Sequence, residues 1–378
     1  MGGKVVKPSS HNIQAPLQKE ILFVNKNNIC QLIQEKIQQF LSIEMEFSYT
    51  ETYEYLNQIK RVLRNFRQLQ SLKFYLQKCK FTDEEARSLI KVLAILKNLK
   101  SFSISINMGY PSLILIEEIG QNLKQPLNLI FLELNFSQCK VTDSCMKNFS
   151  LGLKTQRQIK NLNLILNQNK IGNDGFKDII QGFQFMKDLL ELNIQLSDNS
   201  IDLDTPQLFQ SVVENNANIS YLQISLTNNP LNNQGFIDLM CDIAKIDNIQ
   251  TLVLSLDNCA LTSQMFKSIQ LYIQYFKNIK NFELSVSKNN LSNMDMKSFF
   301  QDGKNSLERV ENLCLNFKYN PIFFAGLNSI LDSVKHCQKL RTFYLDFDNL
   351  YIEGQRGVKF YMKLMKIKRL VCIYINKQ

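Results

Sequence analysis

The two histidines, His11 and His336, and the nine cysteines are the residues best suited to nucleophilic, acid–base or metal chemistry. His11 falls in a polar N-terminal stretch. His336 precedes Cys337, and adjacent helix positions point apart. No Cys–His pair or Ser-His-Asp constellation therefore follows from the spacing. The chain has no Walker loop, no G-x-G-x-x-G and no kinase signature set. The run Asp198-Asn199-Ser200-Ile201-Asp202-Leu203-Asp204 spaces its carboxylates as a calcium loop does. It lacks the glycine such a loop needs at its sixth position and the glutamate at its twelfth. Val6 stands where a myristoylated N-terminus carries Ser or Thr. The expectation is a protein that is not an enzyme, with no catalytic residue, no cofactor and no bound metal.

The 378 residues are 45% hydrophobic and 21% charged, a globular balance with material for a large core. The formal net charge of +10 admits acidic partners, so where the charge lies decides more than its sum. Residues 1–20 lack the apolar core of a signal peptide, and the odd cysteine count has no paired short spacing. An intracellular, reducing setting is expected, cytoplasmic and with cytoskeletal or ciliary scaffolding among its forms. No apolar run reaches the roughly 18 residues of a membrane span.

The elements that must position any site come from a repeat. In Leu162-Asn-Leu164-Ile-Leu166 apolar residues alternate, the period of a strand with one buried face. The pattern recurs as twelve triplets, beginning at Ile43, Leu72, Phe102, Leu132, Leu162, Leu192, Leu222, Leu252, Phe282, Leu313, Phe343 and Val371. Successive starts lie 28 to 31 residues apart. Three residues after a triplet stands a second marker: Cys79, Cys139, Asn169, Asn199, Asn229, Cys259, Asn289 and Asn320. A buried Asn there can bond backbone groups that the turning chain would otherwise leave unpaired, and losing such a partner costs about 1–3 kcal/mol. Gly109 and Leu350 interrupt this row. Between strands the period becomes helical, as in Phe176, Ile179, Ile180 and Phe183.

This Asn-or-Cys marker, followed two residues on by Ile or Leu, resembles the leucine-rich-repeat signature. The unit length resembles the ribonuclease-inhibitor-like class. The resemblance implies an α/β fold: a right-handed horseshoe of about twelve strand–loop–helix units, with a parallel concave sheet and convex helices. Residues 1–11 are expected to be a disordered tail, residues 12–40 a helical cap and residues 41–378 the solenoid.

Strand residues between the triplet positions should face the concave solvent. Seven of these are acidic (Glu44, Glu46, Glu133, Asp257, Glu283, Asp346, Asp348) and two are basic (Lys73, Lys318). No nucleic acid is therefore expected in the concavity, and the excess positive charge should lie on helices and loops. Two basic clusters fall on helices by repeat position: Lys60, Arg61, Arg64 and Arg67, then Lys359, Lys363, Lys366, Lys368 and Arg369. Aromatic anchors are absent from the centre of the concave face, which is mainly Ser, Asn, Gln and Thr. Partner binding is thus expected near its ends, through Tyr75, Glu283, Lys318, Tyr344, Asp346, Asp348 and Tyr374. The last strand, from Val371 to Asn376, would leave a ladder edge open for a partner strand. The leading expectation is a non-catalytic protein–protein scaffold or adaptor. The alternative is a regulator of a small GTPase, because the resembled class includes Ran GTPase-activating proteins.

Overall fold

The computed structural model describes residues 21–25, 27–30, 40–48, 52–77, 82–107, 113–124, 128–204, 209–299, 307–347, 355–365, 367 and 372–377. The tail expected over residues 1–11 lies outside them.

Each apolar triplet forms a strand. In chain order these are β2 (Ser42–Ser48), β3 (Ser71–Gln77), β4 (Ser101–Asn107), β5 (Phe131–Asn135), β6 (Asn161–Ile165) and β7 (Glu191–Gln195). They continue as β8 (Tyr221–Ser225), β9 (Thr251–Ser255), β10 (Asn281–Ser285), β11 (Asn312–Asn316), β12 (Thr342–Phe347) and β13 (Cys372–Lys377). A further strand precedes them. β1 (Ile21–Val24) pairs in parallel with β2, so the sheet has thirteen strands where the triplets alone predict twelve. The helical cap expected over residues 12–40 is thus opened by a strand. Of its helix only Ile29 and Cys30 are described. β1 is short and is followed by a turn in which Asn28 bonds Phe23 O, and four residues are too few for a triplet pattern to be read.

The strands run parallel in strict sequence order and form one open sheet. Register holds position for position. Leu132, Leu162, Leu192, Leu222, Leu252, Phe282, Leu313 and Phe343 pair in one row across eight strands. A parallel pair needs a crossover, and helices supply it. These are α1 (Thr52–Asn65), α2 (Asp83–Ile90), α3 (Leu113–Leu123), α4 (Asp143–Leu153), α5 (Asn173–Gly182) and α6 (Gln210–Asn215). The series ends with α7 (Asn233–Ile243), α8 (Ser263–Ile273), α9 (Asn293–Lys297), α10 (Phe324–Val334) and α11 (Gln355–Met365). The inward residues of strands and helices belong to one continuous core. Phe176, Ile179, Ile180 and Phe183, the helical stripe of the sequence, are all at most 1% exposed.

The turn after each strand is fixed by the marker residue. Asn289 Oδ1 accepts from Cys259 N and Leu261 N of the preceding coil, and its Nδ2 donates to Leu256 O and Ser287 O. Asn169, Asn199, Asn229 and Asn320 repeat the arrangement. A cysteine in the slot keeps half of it. Cys139 and Cys259 donate Sγ–H to Ile106 O and Leu226 O but offer no amide oxygen to the coil before. Leu231 N, left unserved by Cys259, bonds Asn229 O at 2.9 Å within its own turn. Ile322 N does the same with Asn320 O, where Leu350 replaces the next Asn. The residue between is Pro in both cases, Pro230 and Pro321, whose fixed φ suits such a three-residue turn. Cys79 lies outside the described residues.

Candidate interaction surface: the open face of the sheet

Because side chains alternate across a strand, burying the triplets turns the intervening residues to the face without helices. Parallel sheets are usually covered on both faces. Here the second face is polar, and its centre binds to itself. Ser103 Oγ and Asn163 Nδ2 both donate to Glu133, at 2.8 and 2.9 Å, and Asn193 Nδ2 donates to Asn163 Oδ1 at 2.8 Å. Ser197 and Ser225 hydroxyls meet at 2.8 Å. Asp257 accepts from Ser285 Oγ and Ser287 N, both at 2.6 Å. Each bond joins neighbouring strands, level with one another (Ser103, Glu133, Asn163, Asn193) or on the diagonal (Ser197 with Ser225, Asp257 with Ser285), so each also ties two coils together.

Toward the C-terminal end the character changes. Gln223, Val253, Glu283, Cys314 and Tyr344 occupy one row across β8 to β12. Tyr221 stands beside them and donates its hydroxyl to Gln223 Oε1 at 2.7 Å. Glu283 is exposed, and its two strand neighbours, Val253 and Cys314, give its carboxylate no hydrogen bond. Partial loss of hydration at the sheet surface raises its pKa above the usual carboxylate range. Burial likewise raises the Tyr221 hydroxyl, with the Glu283 charge adding to the shift. Burial, reinforced by Glu283 and Asp346, pushes the Cys314 thiol up to about 12, so it stays protonated at neutral pH. Burial does the same to Cys259, also to about 12.

Of the contact residues expected from sequence, the structure brings three together. Lys318 Nζ lies 3.4 Å from Asp346 Oδ1, and Tyr344 donates its hydroxyl to Asp346 Oδ2 at 3.4 Å. Glu283 is level with Cys314, four residues before Lys318, and stands apart from this cluster. Asp346 is only 7% exposed, so its carboxylate orients Lys318 and Tyr344 instead of meeting solvent. Tyr374 pairs with Tyr344 by backbone register, and its side chain lies outside what is described, as does Asp348. Tyr75 is not part of this group. It lines a cavity of about 90 Å³ at the other end of the sheet, with Phe23, Val24, Asn25, Glu44 and Glu46. Beside it Lys73 pairs with Glu44 at 3.0 Å. Burial alone would lower the Lys73 pKa, but the hydrogen bond and charge of Glu44 outweigh it and raise the value.

Sequence reasoning missed Tyr221, which β8 carries into the patch, and the alternation places Val253 of β9 on this face without marking it as a contact residue. Tyr221 precedes its triplet by one residue, and the same alternation would have placed it on this face. A larger cavity, about 490 Å³, opens away from this face among Glu311, Gln338, Lys339, Leu340 and Arg341, where strands begin. Among the described residues no group of three His, Cys, Asp or Glu could hold a metal ion, and the described cysteines are free thiols.

One open parallel sheet, a helix in each crossover and one uncovered face define an α/β strand–helix repeat solenoid. No protein-family model matches the sequence, and no curated protein does. No helix among the described residues is long and apolar enough to cross a membrane.

Proposed function

We propose that this chain is a non-catalytic protein-interaction scaffold of the leucine-rich, ribonuclease-inhibitor-like repeat class, and that it takes a protein partner on the open face across β8 to β12. The carrying observation is the contrast along that face. Central side chains satisfy one another, whereas across β10 to β12 the half-buried Cys314 and Tyr344 stand in one row with Glu283, whose carboxylate has no hydrogen bond or ion pair among the described residues. Aromatic and apolar anchors beside a charge that awaits its counterion are the usual make-up of a binding hot spot. The partner is a folded protein that presents a basic side chain to Glu283. The Asn ladder supports the repeat class, because it is built on the residues that carry the resemblance.

The test is capture of partners from the native cell by tagged protein. Glu283→Lys with Tyr344→Ser should lose the partners that the parent chain holds. Asn163→Ala with Gln195→Ala, at the self-satisfied centre on β6 and β7, should keep them. Equal loss from both variants, or from neither, would remove the open-face patch as the binding site.

A further inference from the structure

The structure separates the two rims of the solenoid, and half of one alternates cations with exposed aliphatic side chains. This rim is where each helix ends and the next strand begins. Its innermost positions form a hydrogen-bonded row. Ile130 N bonds Lys100 O at 2.7 Å, Lys160 N bonds Ile130 O at 2.8 Å and Leu190 N bonds Lys160 O at 2.8 Å. Lys100, Ile130, Lys160 and Leu190 thus follow one another at the strand spacing of about 4.8 Å, cation and apolar side chain in turn. All four are exposed. β4 to β7 pair without stagger, so the row is level with the start of every strand. A second, outer row holds Arg67, Lys97, Arg157 and Lys187, all exposed. Its turns are held by a second set of asparagine bonds, Asn98 Nδ2 to Arg67 O at 3.1 Å and Asn218 Nδ2 to Lys187 O at 3.4 Å.

Between Arg67 and Leu190, Asp188 is the one carboxylate among the described rim residues, and none of the rim cations there forms an ion pair. The other half of the rim differs. There Lys245, Lys277 and Lys335 pair with Asp242, Asp247 and Asp332, and Glu308 and Glu311 stand among Lys280, Arg309, Lys339 and Arg341. Helix C-termini face this rim, and their carbonyls favour nearby cations. That accounts for lysines along its whole length. It does not account for the apolar side chains, which water disfavours. Ile95, Leu151 and Phe185 are 40%, 43% and 38% exposed, and all three lie in or just after the last turn of a helix in the same cationic half.

We propose that this half of the rim docks on an anionic lipid bilayer. Lysines and arginines at the surface meet anionic headgroups, while the aliphatic side chains between them reach the boundary of the acyl region. A nucleic-acid backbone would use the cations but not Ile130, Leu151 and Leu190, and a single exposed aromatic, Phe185, is a poor stacking platform. The open face stands away from this rim, so lipid docking leaves it free for a protein partner.

The chain contains no tryptophan, so Leu190→Trp gives a single reporter on the rim. The full chain carrying it is titrated with phosphatidylcholine vesicles, with and without phosphatidylserine, at low and high salt. A blue shift and co-sedimentation confined to the phosphatidylserine vesicles, weakened by salt, is the expected result. Lys100→Ala, Lys160→Ala and Lys187→Ala together should lower partition on the order of a hundredfold, about fivefold for each residue. Lys170→Ala with Lys288→Ala, on the opposite rim, should bind as the parent does. If the triple variant fails to unfold cooperatively, Lys160→Ala and Lys187→Ala singly read the fivefold steps. Equal partition to neutral vesicles, no shift with anionic ones, or a folded triple variant that binds unchanged each overturn the proposal. So does tight binding of duplex RNA with the tryptophan silent toward vesicles.

Discussion

Glu283 shows how neighbours fixed by register set the chemistry of one residue. Its pairing partners are Val253 and Cys314, so the sheet removes water from its carboxylate without returning a hydrogen bond. The folded pKa is raised above the ordinary value of 4.5. A carboxyl whose pKa rises on folding favours the folded state when protonated, and that contribution is lost as pH climbs through the folded pKa. Glu283→Gln removes the charge and keeps the shape. Its urea midpoint should exceed that of the parent at pH 7, the gap closing as pH falls below 4.5, where folded and unfolded chains both carry the protonated acid. A gap of the same size at both ends of the titration would mean that charge has no part in it. Another residue-scale feature runs along the turns: Gln168, Asp198, Asn228, Asn258, Lys288 and Tyr319 hold φ between 51° and 57°. Asn and Asp tolerate that region best, and three of the six positions use them. At the other end of the row Lys288 lies over the Tyr319 ring, 5.3 Å from its centroid.

At the scale of elements, the close approach of α3 and α4 rests on two glycines. A Cβ on Gly152 would lie 2.0 Å from Gly120 O, and one on Gly120 would lie 2.6 Å from Asn148 O. Both obstacles are backbone and cannot rotate away. Alanine is the better helix former by about 1 kcal/mol, so propensity alone predicts that Gly152→Ala stabilises. Packing reverses the sign, because α4 must move off α3 and disturb the core beneath, at about 1–3 kcal/mol. Thermal unfolding of Gly152→Ala should therefore begin at lower temperature than that of the parent. Alanine at an exposed helix position, such as Lys177→Ala in α5, provides a comparison without helix packing. A rise in the midpoint of Gly152→Ala would show that the two helices are not in this contact.

Across the whole molecule, each coil touches its neighbours and little else, so stability is close to a sum of local units and interfaces. Asn229 joins two coils: it accepts from Ile201 N and donates to Leu196 O of the preceding coil, and donates to Leu226 O of its own. Asn229→Ala leaves those buried groups without partners, a loss of about 1–3 kcal/mol. Amide exchange should accelerate at Ile201 and across the adjoining strands β7 and β8, while Leu72 and Phe74 in β3 keep the protection of the parent. Acceleration spread evenly over all strands would mean that the solenoid unfolds as one block. Charge is also arranged at this scale. On the open face Glu44, Glu133, Asp257 and Asp346 stand in pairs and networks while Glu283 does not, and half of one rim gathers cations that form no ion pair among the described residues.

Local periodicity determined a great deal of this protein. Alternation every two residues dictated which side of each strand is buried, and a 30-residue recurrence dictated that strands stack in sequence order. The Asn slots were readable because a buried polar group must have partners, and only a stacked turn supplies them. Glu283, Tyr344 and Asp346 on the strands of the interaction patch, and Lys318 just beyond β11, followed from the same alternation. Other features depended on distances between coils, which no single coil encodes. β1 was invisible because its few residues become a strand only by pairing with β2. The burial of Asp346 against Lys318 and Tyr344 arises from side chains of neighbouring strands closing over it. The cationic rim was hidden because Lys100, Lys160 and Lys187 belong to different repeats and look scattered in the chain. Parallel register brings them into adjacent rows, since stacking converts a separation of 30 residues into one strand spacing of about 4.8 Å.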